Sequence, residues 1–323
     1  MQDPIIALLS SSSFVSGESM SRDLGISRAA VWKKILGLRR KGYQIEAVPS
    51  RGYRLIMAPD LAGDFISAKA CGGLWKEIFV HDLLGSTNDT AMSLAVEGRI
   101  QPGTVIIADS QMSGKGRLGR KWTSPAGRNV LMSMVIRPEI EPGEITMLTI
   151  LAAVAAASAI RRSCDMQASI KWPNDLMFKE RKLGGILTEV RADQDRVNMA
   201  VIGIGINVNI ADTELPEEIR QTATSVYAAT NRSHARNEII ICLLREFESA
   251  YRTVIERGSE EILERWREYS STLGRRVKVT IGETVVTGIA EDIDRRGMLI
   301  LRTDSGVRSV ISAGDITHLR PAG

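Results

Sequence analysis

The run Ser113-Gly114-Lys115-Gly116-Arg117-Leu118-Gly119-Arg120-Lys121-Trp122 puts three glycines, four cations and a tryptophan into ten residues. Glycines let backbone N–H groups approach a ligand closely. The Arg and Lys side chains add charge-assisted hydrogen bonds to carboxylate or phosphate, and Trp122 offers a flat ring for stacking. The same composition also suits a solvated surface loop. Gly114-x-Gly116-x-x-Gly119 matches a dinucleotide fingerprint, but Lys121-Trp122-Thr123-Ser124-Pro125 blocks the helix that must follow it. There is no G-x-x-x-x-G-K-[ST] either. Phosphate bound here would be held by a mobile flap, not by a helix N-terminus.

Further clusters stand near expected strand ends. Ser86-Thr87-Asn88-Asp89 opens a helix and also reads as a plain N-cap. Gln111 sits just before the glycine-rich run. Lys171 ends a strand ahead of Trp172-Pro173-Asn174-Asp175, where a lone lysine is usually solvated. Gly203-Ile204-Gly205-Ile206-Asn207 places glycines inside a strand, a sign of close approach to the backbone. The cysteines (Cys71, Cys164, Cys242) and histidines (His81, His234, His318) are scattered. That spacing argues for a reducing compartment and against a zinc site, a disulfide framework or a Ser-His-Asp triad.

These residues need elements to hold them. Thr104–Asp109 and Val130–Ile136 read as buried strands flanking the glycine-rich run. Strands are also expected at Ile78–His81, Ala168–Trp172, Lys182–Val190 and Val197–Val208, and helices at Thr87–Glu97, Met147–Arg162, Asn237–Glu256 and Glu260–Tyr269. Strands grouped in hairpins predict an α+β sheet over about 61–271 rather than a doubly wound one. The tail, 272–323, has four short strands parted by turns (Val277–Ile281, Val285–Ile289, Leu299–Arg302, Arg308–Ile311), which predicts a small β-barrel.

Residues 1–58 have a different character. Short helices at Ile5–Leu9 and Ser19–Gly25 precede an amphipathic helix from Arg28 to Arg40, and a hairpin spans Tyr43–Ile56. This is the pattern of a winged helix-turn-helix, with Ser27, Arg28, Ala30, Lys33 and Lys34 facing DNA. Nine Lys/Arg against four Asp/Glu in residues 1–57 give +5, so the remainder of the chain carries 4 − 5 = −1. The basic excess lies where a polyanion would bind. A packing role for a basic helical bundle is the plainer alternative. Met1-Gln2-Asp3-Pro4 lacks the start of a signal peptide, and the most apolar stretch, Met147–Ile160, reads as a buried helix rather than a span. A cytoplasmic protein is expected.

In this order, Gly114–Trp122, Lys171–Asp175 and Gly203–Asn207 resemble the bifunctional biotin protein ligase and biotin-operon repressor family, over nearly the whole chain. The resemblance implies a winged helix, a class II synthetase-like central domain and an SH3-like C-terminal barrel. It implies that biotin and MgATP give biotinyl-5′-adenylate, and that a lysine of a biotin carboxyl carrier domain then takes the biotin. Lys171 and Arg117 are implied as catalytic. Ser86, Thr87, Asn88, Gln111, Gly114, Lys115, Gly116, Arg117, Lys171, Gly185, Gly203 and Gly205, with Gly184, are implied at biotin. Arg117, Arg120, Trp122, Asn174 and Asn207 are implied at ATP, with Asp175 orienting its neighbours. Operator DNA, the carrier protein and a ligand-promoted homodimer are the implied partners. Lys115 and Leu118 stand where the family commonly has arginine: Lys115 keeps the charge without the bidentate fork, and Leu118 loses it. A lipoate-type ligase and a ligand-sensing regulator without ligase activity are the alternatives.

Overall fold

The computed structural model describes residues 3–10, 13–312 and 314–319. Met1 and Gln2, and positions 320–323 of the expected C-terminal unit, lie outside them.

The N-terminal unit comprises α1 (Pro4–Leu9), α2 (Gly17–Leu24), α3 (Arg28–Arg40), β1 (Gln44–Val48) and β2 (Gly52–Met57). Its turns follow local chemistry. Asp3, Ser16 and Ser27 each accept a backbone N–H at a helix start, and Gly25, at φ 64°, ends α2 in the left-handed region. Val31, Ile35 and Leu38 face the core. Gly52 is required for contact as well as conformation: a side chain there would meet the Val15 carbonyl at 2.2 Å, where Val15 pairs with Tyr53.

The linker runs into α4 (Gly63–Ala70), a short helix without strong sequence periodicity that the pattern above did not anticipate. The central unit continues with β3 (Glu77–Leu84), α5 (Thr87–Val96), β4 (Thr104–Gln111), β5 (Asn129–Ile136), α6 (Ile145–Cys164), β6 (Ser169–Lys171), β7 (Asp175–Phe178), β8 (Arg181–Ala192), β9 (Val197–Asn207), α7 (Val226–Thr230), α8 (Arg236–Arg257) and α9 (Glu260–Tyr269). The sheet order is β3-β4-β5-β9-β8-β7-β6; only β3 and β4 run parallel. β7 went unforeseen because Pro173-Asn174 reads as a strand end, and the turn there brings the chain straight back. α6 is apolar and long enough to cross a membrane, but Ile150 to Ile160 are buried in the core against the sheet and α8.

The C-terminal unit is a five-stranded antiparallel sheet of β10 (Arg276–Ile281), β11 (Thr284–Ile293), β12 (Leu299–Thr303), β13 (Arg308–Ile311) and β14 (Asp315–His318), in the order β13-β12-β11-β10-β14. The fifth strand adds to the four expected. This unit docks on the central one: Trp172 Nε1 donates to the Gly297 carbonyl at 2.8 Å, and Arg267 Nε to Asp292 Oδ1 at 2.8 Å.

Candidate active site

Register builds the floor of the site. Residues paired across neighbouring strands carry their side chains to the same face. One row reads Leu131–Gly205–Gly185–Asp175–Lys171 across β5, β9, β8, β7 and β6. The next row reads Ser133–Gly203–Leu187. Two glycines in the first row and one in the second leave room for groups that come down from above.

What fills that room differs between the rows. A side chain at Gly205 would meet the Trp122 indole at 2.8 Å, whereas one at Gly203 would meet Asn88 Oδ1 at 2.2 Å. The close approach expected at Gly203 is therefore made by the protein's own amide. Gly184 faces away: a side chain there would strike the Gly205 carbonyl at 2.6 Å, so it serves strand packing and not the cavity.

Ser133 Oγ lies 2.6 Å from Asn88 Oδ1 and 2.8 Å from Thr87 Oγ1. Thr87 N donates to Gln111 Oε1 at 2.7 Å, and its hydroxyl lies 3.1 Å from the same oxygen. Asn88 Nδ2 donates to Leu187 O at 3.1 Å and to Glu189 Oε2 at 2.7 Å. Ser86 caps α5, accepting from Asp89 N at 3.4 Å. Ser86, Thr87 and Asn88 are buried polar residues with their hydrogen bonds in place.

The glycine-rich run forms a hairpin above this floor. Trp122 N donates to Gly114 O at 2.8 Å, Lys115 pairs with Lys121, and Gly116 N donates to Arg120 O at 2.7 Å. A 3₁₀ turn at Arg117–Gly119 closes it, with Leu118 at φ 56° and largely exposed. A left-handed leucine with no buried contact gains nothing from its side chain, so the replacement of a cation there costs the fold little. Lys115 Nζ ties the hairpin to Asp89 at 2.6 Å, an exposed pair of small energetic weight.

Arg117 points inward. Its Nη1 donates to Asn174 Oδ1 at 3.1 Å and to Gly314 O at 3.4 Å, and burial pulls its pKa down. Asn174 in turn donates to Ile186 O at 2.9 Å. Arg120 pairs with Asp315 of β14, and Lys182 with Asp175 at 2.6 Å. Burial lowers the Lys171 pKa, against the opposing pull of Asp175. His318, on the far side of Lys171, is pushed down to about 4 by burial first and by Lys171 second.

Together these residues line a cavity of about 440 Å³, within the range of small-ligand pockets. Ser86, Thr87, Asn88, Gln111, Lys115, Gly116, Arg117, Arg120, Trp122, Asn174, Asp175, Gly185, Gly203, Gly205 and Asn207 are all in its wall. Gly114 and Lys171 are not: Gly114 is at the hairpin base, and Lys171 is at the outer end of the glycine-floored row. The sequence reading missed Lys182, Asp315 and the segment around Leu215–Ala223, all in the wall, and Ser133 and Glu189 behind it. Ser133 gave a usable signal, a hydroxyl inside an apolar strand. Asp315 gave none.

Relatives decide the family. The chain is 39% identical over 93% of its length to the bifunctional ligase/repressor BirA of Bacillus subtilis, covering 93% of that protein. It is 33% identical to BirA of Escherichia coli over 94% of its own length and 93% of that protein. The chain belongs to the biotin protein ligase family. Family models match in three places: the biotin/lipoate A/B protein ligase family at 81–207, the biotin protein ligase C-terminal domain at 272–319 and a helix-turn-helix domain at 2–54. Among solved structures, a biotin protein ligase from Aquifex aeolicus in complex with biotin and ATP aligns at TM-score 0.65 and 29% identity, over 76% of this chain and all of that one. In this chain helix α3 leaves Ser27, Arg28, Lys33 and Lys34 exposed and Ala30 half-buried. Trp32, unmarked by sequence, is 53% exposed on the same helix.

Proposed function

We propose that the cavity joins biotin to AMP and then passes the biotin to a lysine of a biotin carboxyl carrier domain, and that the winged helix represses transcription in response to the adenylate. The carrying observation is the cavity's polarity. Ser86, Thr87 and Gln111 form one part of the wall, with Thr87 and Gln111 hydrogen-bonded together, and Arg117, Lys182 and Arg120, tied to Asn174, Asp175 and Asp315, form another. A ureido ring suits the first part, and a carboxylate meeting an α-phosphate suits the second.

In the first step a biotin carboxylate oxygen attacks the α-phosphorus and pyrophosphate leaves. Two anions meet, so cations must offset their repulsion: Arg117 and Arg120 from the hairpin, and Lys171 from the end of the row. Asn174 holds Arg117 in position, and Asp175 holds Lys182. Trp122 covers the adenine above Gly205, with Asn207 beside it. In the second step an acceptor lysine amine attacks the acyl carbon, AMP leaves and the amine loses a proton. Neither step forms a bond to the enzyme.

Mg2+ fits as a companion of the nucleotide and not as a resident of the protein. Among the described residues no three His, Cys, Asp or Glu side chains cluster as a metal site, and Asp175 and Asp315 are already in ion pairs. Phosphate oxygens and water would supply its ligands, and its chemistry is to neutralise phosphate charge.

The boundaries 1–58, 61–271 and 272–323, a cytoplasmic location and a homodimer promoted by adenylate on the ordered hairpin complete the reading. The dimer would present two α3 helices to a palindromic operator. Incubation with ATP, biotin and a carrier domain, followed by mass spectrometry of the carrier, tests the enzyme; a carrier of unchanged mass refutes it. A lipoate-type reaction predicts the mass of lipoyl instead.

A further inference from the structure

The tip of the wing holds a cation in a prepared position. β1 and β2 are joined through the turn Val48-Pro49-Ser50-Arg51, where Arg51 N donates to Val48 O at 3.1 Å. Proline at the second position and Ser50 at φ 64° at the third give a type II arrangement. The next residue, Gly52, lies against the Val15 carbonyl, and Tyr53 exchanges two backbone hydrogen bonds with Val15 at 2.8 and 2.9 Å. The turn is fixed by its own hydrogen bond and by Val15, so the Arg51 backbone has little freedom.

The side chain is held as well. Arg51 lies over the Phe14 ring with Cζ 4.1 Å from the centroid, and Arg54 lies over the same ring at 4.7 Å. Both are cation–π distances. The two guanidinium groups differ in what else they meet. Arg54 is half-buried and donates to Glu46 Oε2 from Nε at 3.1 Å and from Nη2 at 2.7 Å. Arg51 is exposed and pairs with no carboxylate among the described residues. A ring face orders a guanidinium without neutralising it, so the charge stays available to an anion. Ordering it beforehand also lowers the side-chain entropy lost on binding. The unit that carries Arg51 has the basic excess of the chain, +5 over residues 1–57, and presents α3 to DNA. Duplex phosphate is the anion that this charge complements.

We infer that Arg51 is a phosphate contact of the wing and that Phe14 is the residue that positions it. The inference rests on the DNA-binding reading of the winged helix. Its test is titration of a mixed-sequence duplex of roughly 30 base pairs with the full chain at several salt concentrations, since phosphate contacts carry non-specific binding. Arg51→Gln should weaken binding about tenfold at low salt. It should also make the slope of log affinity against log salt shallower by about 0.9. Phe14→Leu should weaken binding by about two- to fivefold and leave the slope unchanged, because the charge remains. Added to Arg51→Gln, Phe14→Leu should cost nothing further. Phe14→Tyr, which keeps the ring, should match wild type. A merely structural Phe14 would lower affinity equally with and without Arg51, and that result overturns the positioning role. An unchanged slope in Arg51→Gln overturns the contact; this exposed substitution decides the matter even if Phe14→Leu does not fold. Wild-type chain that binds no duplex at low salt overturns the DNA-binding reading itself, before any variant is made.

Discussion

Gly205→Ala isolates the contact between the sheet floor and the indole above it. Gly205 has no left-handed backbone, so alanine fits its conformation and slightly favours folding by restricting the unfolded chain. The whole cost must come from packing. The new methyl would lie 2.8 Å from Trp122 Cε2 and 3.1 Å from Cζ2 and Nε1, where comfortable carbon contacts need about 3.5–4.0 Å. The indole is rigid, and the strand is fixed by partners on both sides, so the ring must retreat by roughly 1 Å. Overpacking of this kind costs about 1–3 kcal/mol. If Trp122 stacks on the adenine, most of that cost falls on the nucleotide, and the KM for ATP should rise about tenfold or more. With biotin on the neighbouring Ser133–Gly203–Leu187 row, as proposed, its binding should change far less. Steady-state adenylation with ATP and biotin varied separately reads both. Equal rises in the two KM values, or none in that for ATP, would refute the stacking role; restoration of the ATP KM by adding Trp122→Phe would support it.

Lys171→Ala should slow adenylate formation about a hundredfold or more in single turnover, with folding nearly intact; a wild-type rate removes Lys171 from the chemistry. Because burial lowers the Lys171 pKa, its charge is lost earlier as pH rises, so adenylation should fall on the alkaline side below the ordinary lysine range, and Lys171→Arg should move that limb upward. His318 is neutral in the folded chain, with a pKa of about 4 against 6.5. The unfolded state therefore binds more protons between those values, and stability should fall as pH drops from about 6.5 toward 4; in His318→Gln that part of the slope in thermal melts should disappear. A chain starting near Asp60 should keep ligase activity and lose operator binding, and log affinity of the intact chain for operator should fall with log salt by about 0.9 per phosphate neutralised. Salt-independent binding would contradict the assignment of α3. Arg236, 3% exposed, bridges Asp60 and Asp109 at 2.6 and 2.7 Å and donates to the buried Asn129 carbonyl at 3.0 Å, so Arg236→Met should destabilise the fold by about 1–3 kcal/mol through the carbonyl left without a donor, measured by denaturant unfolding.

Local chemistry made much of this protein legible in its sequence. Caps, glycine stops and apolar periods act over a few residues, which is why α3, α5, α6, β5 and the wing could be read directly. The glycine-and-cation run, Ser86–Asn88 and Gly203–Asn207 could be singled out by residue type and do supply residues of the cavity wall, whereas Lys171, singled out with them, lies outside it. Register was decided only in three dimensions. Gly203 and Gly205 look equivalent in the chain, yet one lies under Asn88 and the other under Trp122, because successive same-face residues of β9 pair with different partners on β5 and β8. Lys171 and Leu131 belong to one row through β7, a strand too short and too close to Pro173 to foresee. Asp315 reaches Arg120 from a strand about two hundred residues away in sequence, and an ion pair at that range leaves no periodicity to read. The sequence by itself determined which groups could do chemistry, since that is a property of side chains. Their distances, their burial and the direction of each hydrogen bond came from strand pairing and domain docking, which depend on contacts between residues that no local pattern connects.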